Sequence, residues 1–279
     1  MLIRVDDVSF AYCDSAAALQ NISFQISAGE RVALTGHNGS GKSTLVKHLN
    51  GLLKPSAGNI WIDDKDTTTT TTAQLARQVA LLFQNPDDQI CKRTVWDEVV
   101  FGPKNLGYPA KRIESLVEEA LTLFALTPFK KKNPHDFGYS ERKRIAMASI
   151  VAMDTPVVVF DEPTAGLDPY EISLLIATLK KLQSDNKTVI VISHDMDFVA
   201  ENISRVVSLA NGKKVFDDSV RDLFKKPALM TECGLRQPQV MQLSNACGLQ
   251  GAALTPHECV AALEVRNQTL PCRQGEPEG

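Results

Sequence analysis

The chain has 279 residues, a hydrophobic content of 43% and a formal net charge of −3 at pH 7. This length and composition fit one large domain with a full core plus a smaller appendage. The charge balance gives no general reason to expect nucleic acid as a partner. The longest apolar runs, at 157–160 and 189–192, are far too short to span a membrane, which takes about 20 residues.

The first residues, MLIRVDDVSF, carry acidic side chains where a signal peptide needs an unbroken apolar segment. We therefore expect a cytoplasmic protein. Its six cysteines are scattered and form no C-x-x-C pair, so the sequence favours free thiols over disulfides or a metal site.

Short β-rich segments alternate with turns and helical patterns along the chain. In the N-terminal half these segments lie at 2–10, 21–26, 31–36, 59–64 and 79–84. Buried strands are expected at 156–161 and 188–193, each followed by a helical pattern, which indicates an α/β core with parallel strands. Asn211-Gly212 predicts a hairpin turn.

A glycine-rich loop follows the predicted strand Arg31 to Thr35. It reads Gly36-His37-Asn38-Gly39-Ser40-Gly41-Lys42-Ser43 and matches the pattern G-x-x-x-x-G-K-[ST]. Glycines let successive backbone N–H groups turn toward phosphates, and the N-terminus of the helix that follows adds its positive dipole end. We expect Lys42 to reach the β- and γ-phosphates and Ser43 to bind Mg²⁺. The predicted nucleotide contacts of this loop are Gly36, Asn38, Gly39, Ser40, Gly41, Lys42, Ser43 and Thr44.

A run of threonines, Thr67 to Thr72, has no accompanying charge or apolar pattern. It is interpreted as a surface loop whose last threonines cap a helix that begins near Ala73.

The buried run 157–160 ends in two carboxylates, Asp161 and Glu162. An aspartate at the carboxyl end of a strand can hold Mg²⁺, and the next side chain points to the other side, where it can orient an attacking water. Asp161 is therefore predicted to bind the metal and Glu162 to act as general base.

Two further residues follow these strands. Asp168 precedes Pro169 and stands three residues before Glu171, a pattern that caps a helix. His194 ends the predicted strand 188–193 at a turn where its ring could donate to a γ-phosphate. Taken alone, a capping or surface histidine is the better explanation of this residue.

Six motifs together resemble an ABC ATPase in their order and spacing. They are Walker A at 36–43, the Q-loop glutamine Gln84, the signature region at 136–144, Walker B at 157–162, the D-loop at 165–168, and Ser193-His194 as the H-loop. The resemblance covers residues 1 to about 220. It implies an ABC-type P-loop core with an antiparallel β subdomain and a helical subdomain at about 85–155.

The same resemblance assigns several roles. It implies an aromatic ring that stacks on adenine, for which Tyr12 fits and Phe10 competes. It implies that Gln84 touches Mg²⁺ and links the nucleotide site to a partner, and that His194 senses the γ-phosphate. It also gives Asp168 a second role at a subunit contact.

A narrower resemblance rests on residues 83–107, FQNPDDQICKRTVWDEVVFGPKNLG, which are similar to the energy-coupling factor (ECF) type of importer ATPase. The region from Gly234 resembles the extra C-terminal domain of that group. This implies a small α/β, dimerisation-type domain at 221–265. Thr255-Pro256-His257-Glu258 should open a helix that runs to about Val265, and 266–279 should form a flexible tail.

The ECF resemblance implies an ATPase that acts at the cytoplasmic face of the cell membrane. There it would power uptake of a vitamin or other micronutrient through a membrane coupling protein and a substrate-binding membrane subunit. The segment after Gln84 would contact the coupling protein. One alternative is the ATPase of a dedicated cobalt or nickel importer, and another is a non-transport ABC clamp that acts on DNA or in translation.

The signature region departs from the usual L-S-G-G-Q or E. Alignment on the helix that follows places Phe137 at the leucine, Gly138 at the serine, Tyr139 and Ser140 at the glycines, and Glu141 last. The missing hydroxyl removes a hydrogen bond to a charged phosphate of about 1.5 to 3 kcal/mol. Tyr139 also stands where close backbone approach or a positive φ is normally wanted.

The signature region should still be able to contact the phosphate. Ser140 is expected to cap a helix that begins at Arg142, and it could instead replace the missing hydroxyl. In ABC ATPases the signature of one subunit faces the nucleotide of the other, so Gly138, Tyr139, Ser140 and Glu141 are assigned to the partner's site. A heterodimer with two unequal sites is therefore expected, with a homodimer of two tolerable sites as the alternative.

Overall fold

The computed structural model describes residues 2–13, 17–249 and 253–269, with side chains up to 265. Within them the strands are β1 Ile3–Ala11, β2 Ala17–Ile26, β3 Arg31–Thr35, β4 Ala57–Ile62, β5 Lys65–Asp66, β6 Val79–Leu82, β7 Val157–Asp161, β8 Thr188–Ile192, β9 Arg205–Ala210 and β10 Lys213–Ser219. The α-helices are α1 Lys42–Leu49, α2 Thr72–Leu75, α3 Val95–Asn105, α4 Ala110–Leu123, α5 Tyr139–Val151, α6 Pro169–Ser184, α7 Met196–Asn202, α8 Val220–Phe224, α9 Pro227–Glu232, α10 Gln239–Ala246 and α11 Pro256–Thr269. Each predicted β-rich segment contains a strand.

The central sheet has six strands in the order β10-β9-β3-β8-β7-β6. Strands β9, β3, β8, β7 and β6 are parallel, and β10 adds an antiparallel edge. Because the carboxyl ends of β3, β7 and β8 lie side by side, the residues that follow these strands meet at one edge of the sheet. The predicted α/β core is thereby confirmed.

The two faces of the central sheet are covered by different layers. Successive residues of a strand alternate between these two faces. In β7, Val157 and Val159 belong to the core beneath the second sheet and α1, whereas Val158 and Phe160 belong to the core that contains the helices. Alternation of side chains along a strand puts neighbouring residues on opposite faces. Asp161 and Glu162 therefore leave the strand toward different sides.

The second sheet is antiparallel and has the order β2-β1-β4-β5. Its inward residues, among them Ile3, Val8, Leu19 and Ile60, are fully buried. On the opposite side of the central sheet, helices α3, α4 and α5 pack against one another around residues such as Phe124 and Ile145. The phosphate loop and β7 thus lie between a β layer and a helical layer.

Several local predictions are confirmed. Asn211 and Gly212 both have left-handed φ values, 49° and 75°, in the turn between β9 and β10. Thr71 caps α2 in a capping box with Gln74, so the helix begins at Thr72, next to the expected Ala73. The free thiols of Cys13, Cys91, Cys233 and Cys259 also agree with expectation.

The C-terminal region differs from the prediction. We expected a small α/β extension, but within the described residues after β10 only the helices α8 to α11 are present. Thr255 caps α11 as predicted, since its Oγ1 accepts from the Glu258 N–H. The helix continues to Thr269, so 266–269 are helical and do not belong to a flexible tail as predicted, and 270–279 lie outside the described residues.

None of the helices in the described part of the chain has the length and apolar character that a bilayer span requires.

Candidate functional site

The phosphate loop turns through glycines that cannot be replaced without strain. Gly36, Gly39 and Gly41 have φ values of 140°, 81° and 104°. A Cβ at Gly36 would lie 2.1 Å from the Leu209 carbonyl oxygen, and one at Gly41 would lie 2.6 Å from the Ala18 carbonyl oxygen. The loop is therefore packed against the ends of β9 and β2, and α1 starts immediately after Gly41.

Lys42 opens α1 and is buried, with 8% of its surface exposed. Its Nζ donates to the carbonyl oxygens of Gly36 and His37 at 2.7 and 2.9 Å. Burial lowers the pKa of this ammonium, and the carboxylates of Glu162 and Asp161 partly offset that shift. The loop thus carries a desolvated cation within the field of two carboxylates.

A cleft of about 460 Å³ opens above the loop. It brings together residues from distant parts of the sequence: Tyr12, Ala18, Asn38, Gly39, Gly41, Lys42, Ser43, Thr44, Gln84, Asp161, Glu162 and Ile192. Of the predicted nucleotide contacts, Gly36 and Ser40 lie in the loop beneath this lining.

Asp161 stands at the end of β7, opposite Ser43 at the start of α1. Burial raises the pKa of Asp161, and a hydrogen bond from Ser43 works against that rise. A hydroxyl and a carboxylate are ligands that Mg²⁺ accepts, with further positions left to water and phosphate oxygens. Gln84 lines the same cleft, so the three predicted metal ligands share one cavity.

The donor set fits magnesium and a polyphosphate. The Ser40 Oγ and the Glu162 Oε2 are buried and find no hydrogen-bond partner among the described residues. Such orphaned polar atoms are costly unless something satisfies them. Together with the glycine-lined loop and Lys42, they match a ligand rich in oxygen and negative charge.

Glu162 is held in an unusual backbone conformation. Its φ of 49° is left-handed, which costs a residue with a side chain about 1 to 2 kcal/mol. Its N–H donates to the Ile192 carbonyl at 2.9 Å. Its Oε1 lies 2.8 Å from Nδ1 of His194, whose side chain is 70% exposed. His194 is therefore a surface histidine that pairs with Glu162. It does not cap α7, whose N-cap is Asp195.

The two aromatic residues proposed for adenine occupy different places. Tyr12 is 45% exposed, lines the cleft and lies 3.2 Å from the Thr44 hydroxyl. Phe10 packs edge-on against both Tyr12 and His48 and belongs to the core beneath the sheet. Of the two rings, the one that is exposed in the cleft is that of Tyr12.

The signature region folds differently from the prediction. Helix α5 begins at Tyr139 with Gly138 as its N-cap, so the expectation that Ser140 caps a helix starting at Arg142 is wrong. Gly138 has a φ of −66°, and no residue from 138 to 141 has a positive φ. The backbone here adopts helical geometry early, which any residue tolerates, and the expected conflict between Tyr139 and the backbone does not arise.

Gly138, Tyr139, Ser140 and Glu141 do not line the cleft of their own chain. The Ser140 hydroxyl donates to Glu141 at 3.4 Å, and the Tyr139 hydroxyl donates to the carbonyl of Gln84 at 3.3 Å. Asp168 forms a capping box with Glu171 at the start of α6, as predicted.

Sequence reasoning missed Lys143. This lysine of α5 is fully buried, and its Nζ donates to the carbonyl oxygens of Glu162 and Ala165 at 2.5 and 2.9 Å. Burial lowers its pKa to about 8 despite the nearby carboxylates of Glu162 and Asp161. A lysine in a charged segment, RKR, gives no signal of burial, because its acceptors are backbone carbonyls 19 and 22 residues away.

The sequence of this chain is similar to the sequences of known proteins. The family model described as ABC transporter matches residues 19–165. The chain is 40% identical over 256 residues to the energy-coupling factor transporter ATP-binding protein EcfA1 of Caldanaerobacter subterraneus, covering 90% of this chain and 92% of the relative. It is 41% identical over 249 residues to the EcfA1 of Clostridioides difficile, covering 88% and 90%.

Among solved structures, CbiO1 from Clostridium perfringens, part of the ABC transporter complex CbiONQ, superposes with a TM-score of 0.73 at 32% identity. The match covers 88% of this chain and 98% of that one. Two other relatives are longer: the chain spans 44% and 39% of ABC transporter ATP-binding proteins from Caldanaerobacter subterraneus and Methanosarcina acetivorans.

Proposed function

Since the chain belongs to the ABC transporter family of ATP-binding proteins, we propose that it binds and hydrolyses Mg-ATP as a subunit of an ECF-type importer. The importer would take up a vitamin or other micronutrient through a membrane coupling protein and a substrate-binding membrane subunit. The observation that carries the enzymatic part is that Lys42, Asp161 and Glu162 line one cleft, with His194 paired to Glu162. The ECF part rests on the similarity to the two EcfA1 proteins and on residues 83–107.

The residues of the cleft divide the work of hydrolysis. The glycine-rich loop and Lys42 would hold the phosphates, Tyr12 would stack on adenine, and Ser43, Asp161 and Gln84 would hold Mg²⁺. When bound, Mg²⁺ supplies positive charge that offsets the charge of the β- and γ-phosphate oxygens. Catalysis in this class of reaction depends chiefly on such positioning and charge stabilisation.

Glu162 would act as the base for the attacking water. Its Oε1 is engaged by His194, whereas its buried Oε2 has no hydrogen-bond partner among the described residues. The Oε2 atom is therefore the one that would accept a proton from the water as the water oxygen bonds to the γ-phosphorus, while the bond between that phosphorus and the ADP oxygen breaks and ADP leaves. His194, mostly exposed, would orient Glu162 and contact the γ-phosphate.

The segment after Gln84 supports a docking role for the coupling protein. Gln89 ties this segment to α5 through the Ala146 carbonyl and the Ser149 hydroxyl at 3.2 and 3.1 Å. The carboxylate of Glu98, almost fully buried, accepts from the N–H groups of Cys91 and Lys92. These bonds fix one wall of a groove of about 230 Å³ between the central sheet and helices α3 and α5.

The rim of this groove carries Phe101, which is 41% exposed and has the Lys92 ammonium 3.9 Å from its ring centre. An exposed aromatic beside an apolar groove fits a helix that offers an apolar face. We propose that a cytoplasmic helix of the coupling protein occupies the groove, which would place the chain at the cytoplasmic face of the membrane.

Copurification from detergent-solubilised membranes tests the docking proposal. Phe101→Ala should reduce recovery of the hydrophobic membrane protein with the tagged chain while leaving ATP binding intact. Val260→Ala, a truncation of an exposed apolar residue on α11, serves as the control. Equal recovery with both variants, or copurification with DNA or ribosomes instead, would rule the proposal out.

The second ATPase subunit is proposed to be a related chain with a complete signature. Gly138 offers no hydroxyl to the partner's nucleotide, whereas the Walker A loop, Asp161 and Glu162 of this chain are intact, so the two composite sites would be unequal. Asp168 would lie at the subunit contact. Symmetric dimers of the purified chain alone, with full transport-coupled ATPase activity, would show instead a homodimer.

A dedicated cobalt or nickel importer is the second candidate, favoured by the likeness to CbiO1. The membrane subunits recovered in the copurification distinguish it from a vitamin importer.

A further inference from the structure

Two residues of α5, Tyr139 and Lys143, contact the loops that follow β6 and β7 in their own chain. Tyr139 and Lys143 are four positions apart, so they lie on the same face of the helix. The Lys143 ammonium lies 5.7 Å from the centre of the Tyr139 ring. This face extends from the signature region, which by family resemblance serves only the nucleotide of the partner subunit.

Lys143 holds the backbone on the carboxyl side of Glu162. Its Nζ donates to the carbonyl oxygens of Glu162 and Ala165, while the Glu162 N–H donates to Ile192. The strained, left-handed residue is therefore anchored on both sides. Loss of the anchor at its carbonyl would allow the backbone to relax toward a commoner φ and turn the carboxylate away from the cleft.

Tyr139 ties two other loops to the same helix. Its hydroxyl donates to the carbonyl of Gln84, a residue that lines the nucleotide cleft. Its ring covers Gly166, where an added Cβ would lie 2.8 Å from two ring carbons. A glycine at 139, as in a usual signature, would make neither contact.

We propose that Tyr139 and Lys143 are positioning residues for ATP hydrolysis at this chain's own Glu162, because they bind the loops around Gln84, Glu162 and Gly166 to the first turns of α5. The inference rests on the proposed ATPase function. It gives the departure from the usual signature a role within the chain, in addition to its effect on the partner's nucleotide.

Lys143→Met and Lys143→Gln form a matched pair. Their side chains reach equally far, but only glutamine keeps N–H donors for the two carbonyls. In the assembled complex, Lys143→Met should lower kcat about tenfold or more, with the KM for ATP within about twofold, since ATP contacts are untouched. Lys143→Gln should recover part of that loss.

Leu121→Ala, a fully buried truncation in α4, controls for lost stability. It should lower the unfolding temperature at least as much as Lys143→Met does, yet keep kcat. If Lys143→Met lowers only the unfolding temperature, or if it raises KM instead of lowering kcat, the positioning role is overturned.

Tyr139→Phe removes the hydroxyl and keeps the ring. It should lower kcat by about two- to fivefold, corresponding to roughly 0.4 to 1 kcal/mol, whereas Tyr139→Gly should lower it further. A rise in kcat on Tyr139→Gly would overturn the role within the chain, since it would mean that only the partner's nucleotide responds to this residue.

Hydrogen exchange on the purified chain alone tests the contacts without any partner. The amides of Thr164 to Leu167 should exchange about tenfold faster in Lys143→Met than in wild type. Lys180→Met, which replaces an exposed lysine on α6, should leave them unchanged. Unchanged exchange in Lys143→Met would overturn the inference even if the chain proves to be a transporter ATPase, whereas faster exchange in a chain that never hydrolyses ATP would refute the proposed function alone.

Discussion

Replacement of His194 by alanine separates a catalytic contribution from a structural one. The ring nitrogen Nδ1 lies 2.8 Å from the Glu162 Oε1, but 70% of the histidine side chain is exposed. An ion pair so open to solvent contributes about 0 to 1 kcal/mol to folding. His194→Ala should therefore change the free energy of unfolding by less than about 1 kcal/mol.

The catalytic effect should be larger. A hydrogen bond from His194 to a charged phosphate or carboxylate in a closed site is worth about 1.5 to 3 kcal/mol. Its loss should reduce kcat by about 10- to 150-fold. The contrast would arise because a second subunit that closes over ATP, as proposed, would remove the water that weakens the pair in the isolated chain.

The assay combines urea unfolding of the purified chain with phosphate release by the assembled complex. His135→Ala, at another exposed histidine, is the control and should alter neither quantity. A variant that is strongly destabilised but keeps its kcat would refute the assignment of His194 to the reaction and leave it a structural partner of Glu162.

Three other changes have defined outcomes. Asp168→Ala removes the acceptor for the Glu171 N–H, 2.8 Å away, and should cost about 1 kcal/mol of stability in urea unfolding. Tyr12→Ala should raise the KM for ATP about tenfold through lost stacking, whereas Phe10→Ala should chiefly lower the unfolding temperature. The free energy of unfolding of the nucleotide-free chain should rise between pH 8 and 10. The pKa of Lys143 is lowered to about 8 in the folded state, so this residue loses its proton there at a lower pH than in the unfolded chain. Lys143→Met should lack that rise.

Much of the fold follows from local patterns. Continuous apolar runs such as 157–160 indicate strands buried on both faces, and β7 is buried along its whole length. Asn211-Gly212 and Asp168-Pro169 produce the turn and the cap that their chemistry dictates. These features were predictable because each depends on residues within about four positions of one another.

Three features were not predicted, and only one of them depends on tertiary contacts. Helix α5 begins at Tyr139 and not at the predicted Arg142, because Gly138 can act as N-cap and no special backbone angle is required there. The extent of α11 exceeded the prediction, since the periodicity of 266–269 is too weak to mark a helix end. Lys143 was not predicted, because a buried lysine that donates to distant backbone carbonyls has no sequence signature.

The central claim is that this chain supplies the catalytic carboxylate for ATP hydrolysis. Glu162→Gln preserves the shape of the side chain but removes a base, so steady-state phosphate release by the assembled complex is the direct measurement. The account predicts a loss of about 100-fold or more, with the Kd for ATP changed by less than about threefold. Turnover near the wild-type rate, with ATP bound normally, would contradict it.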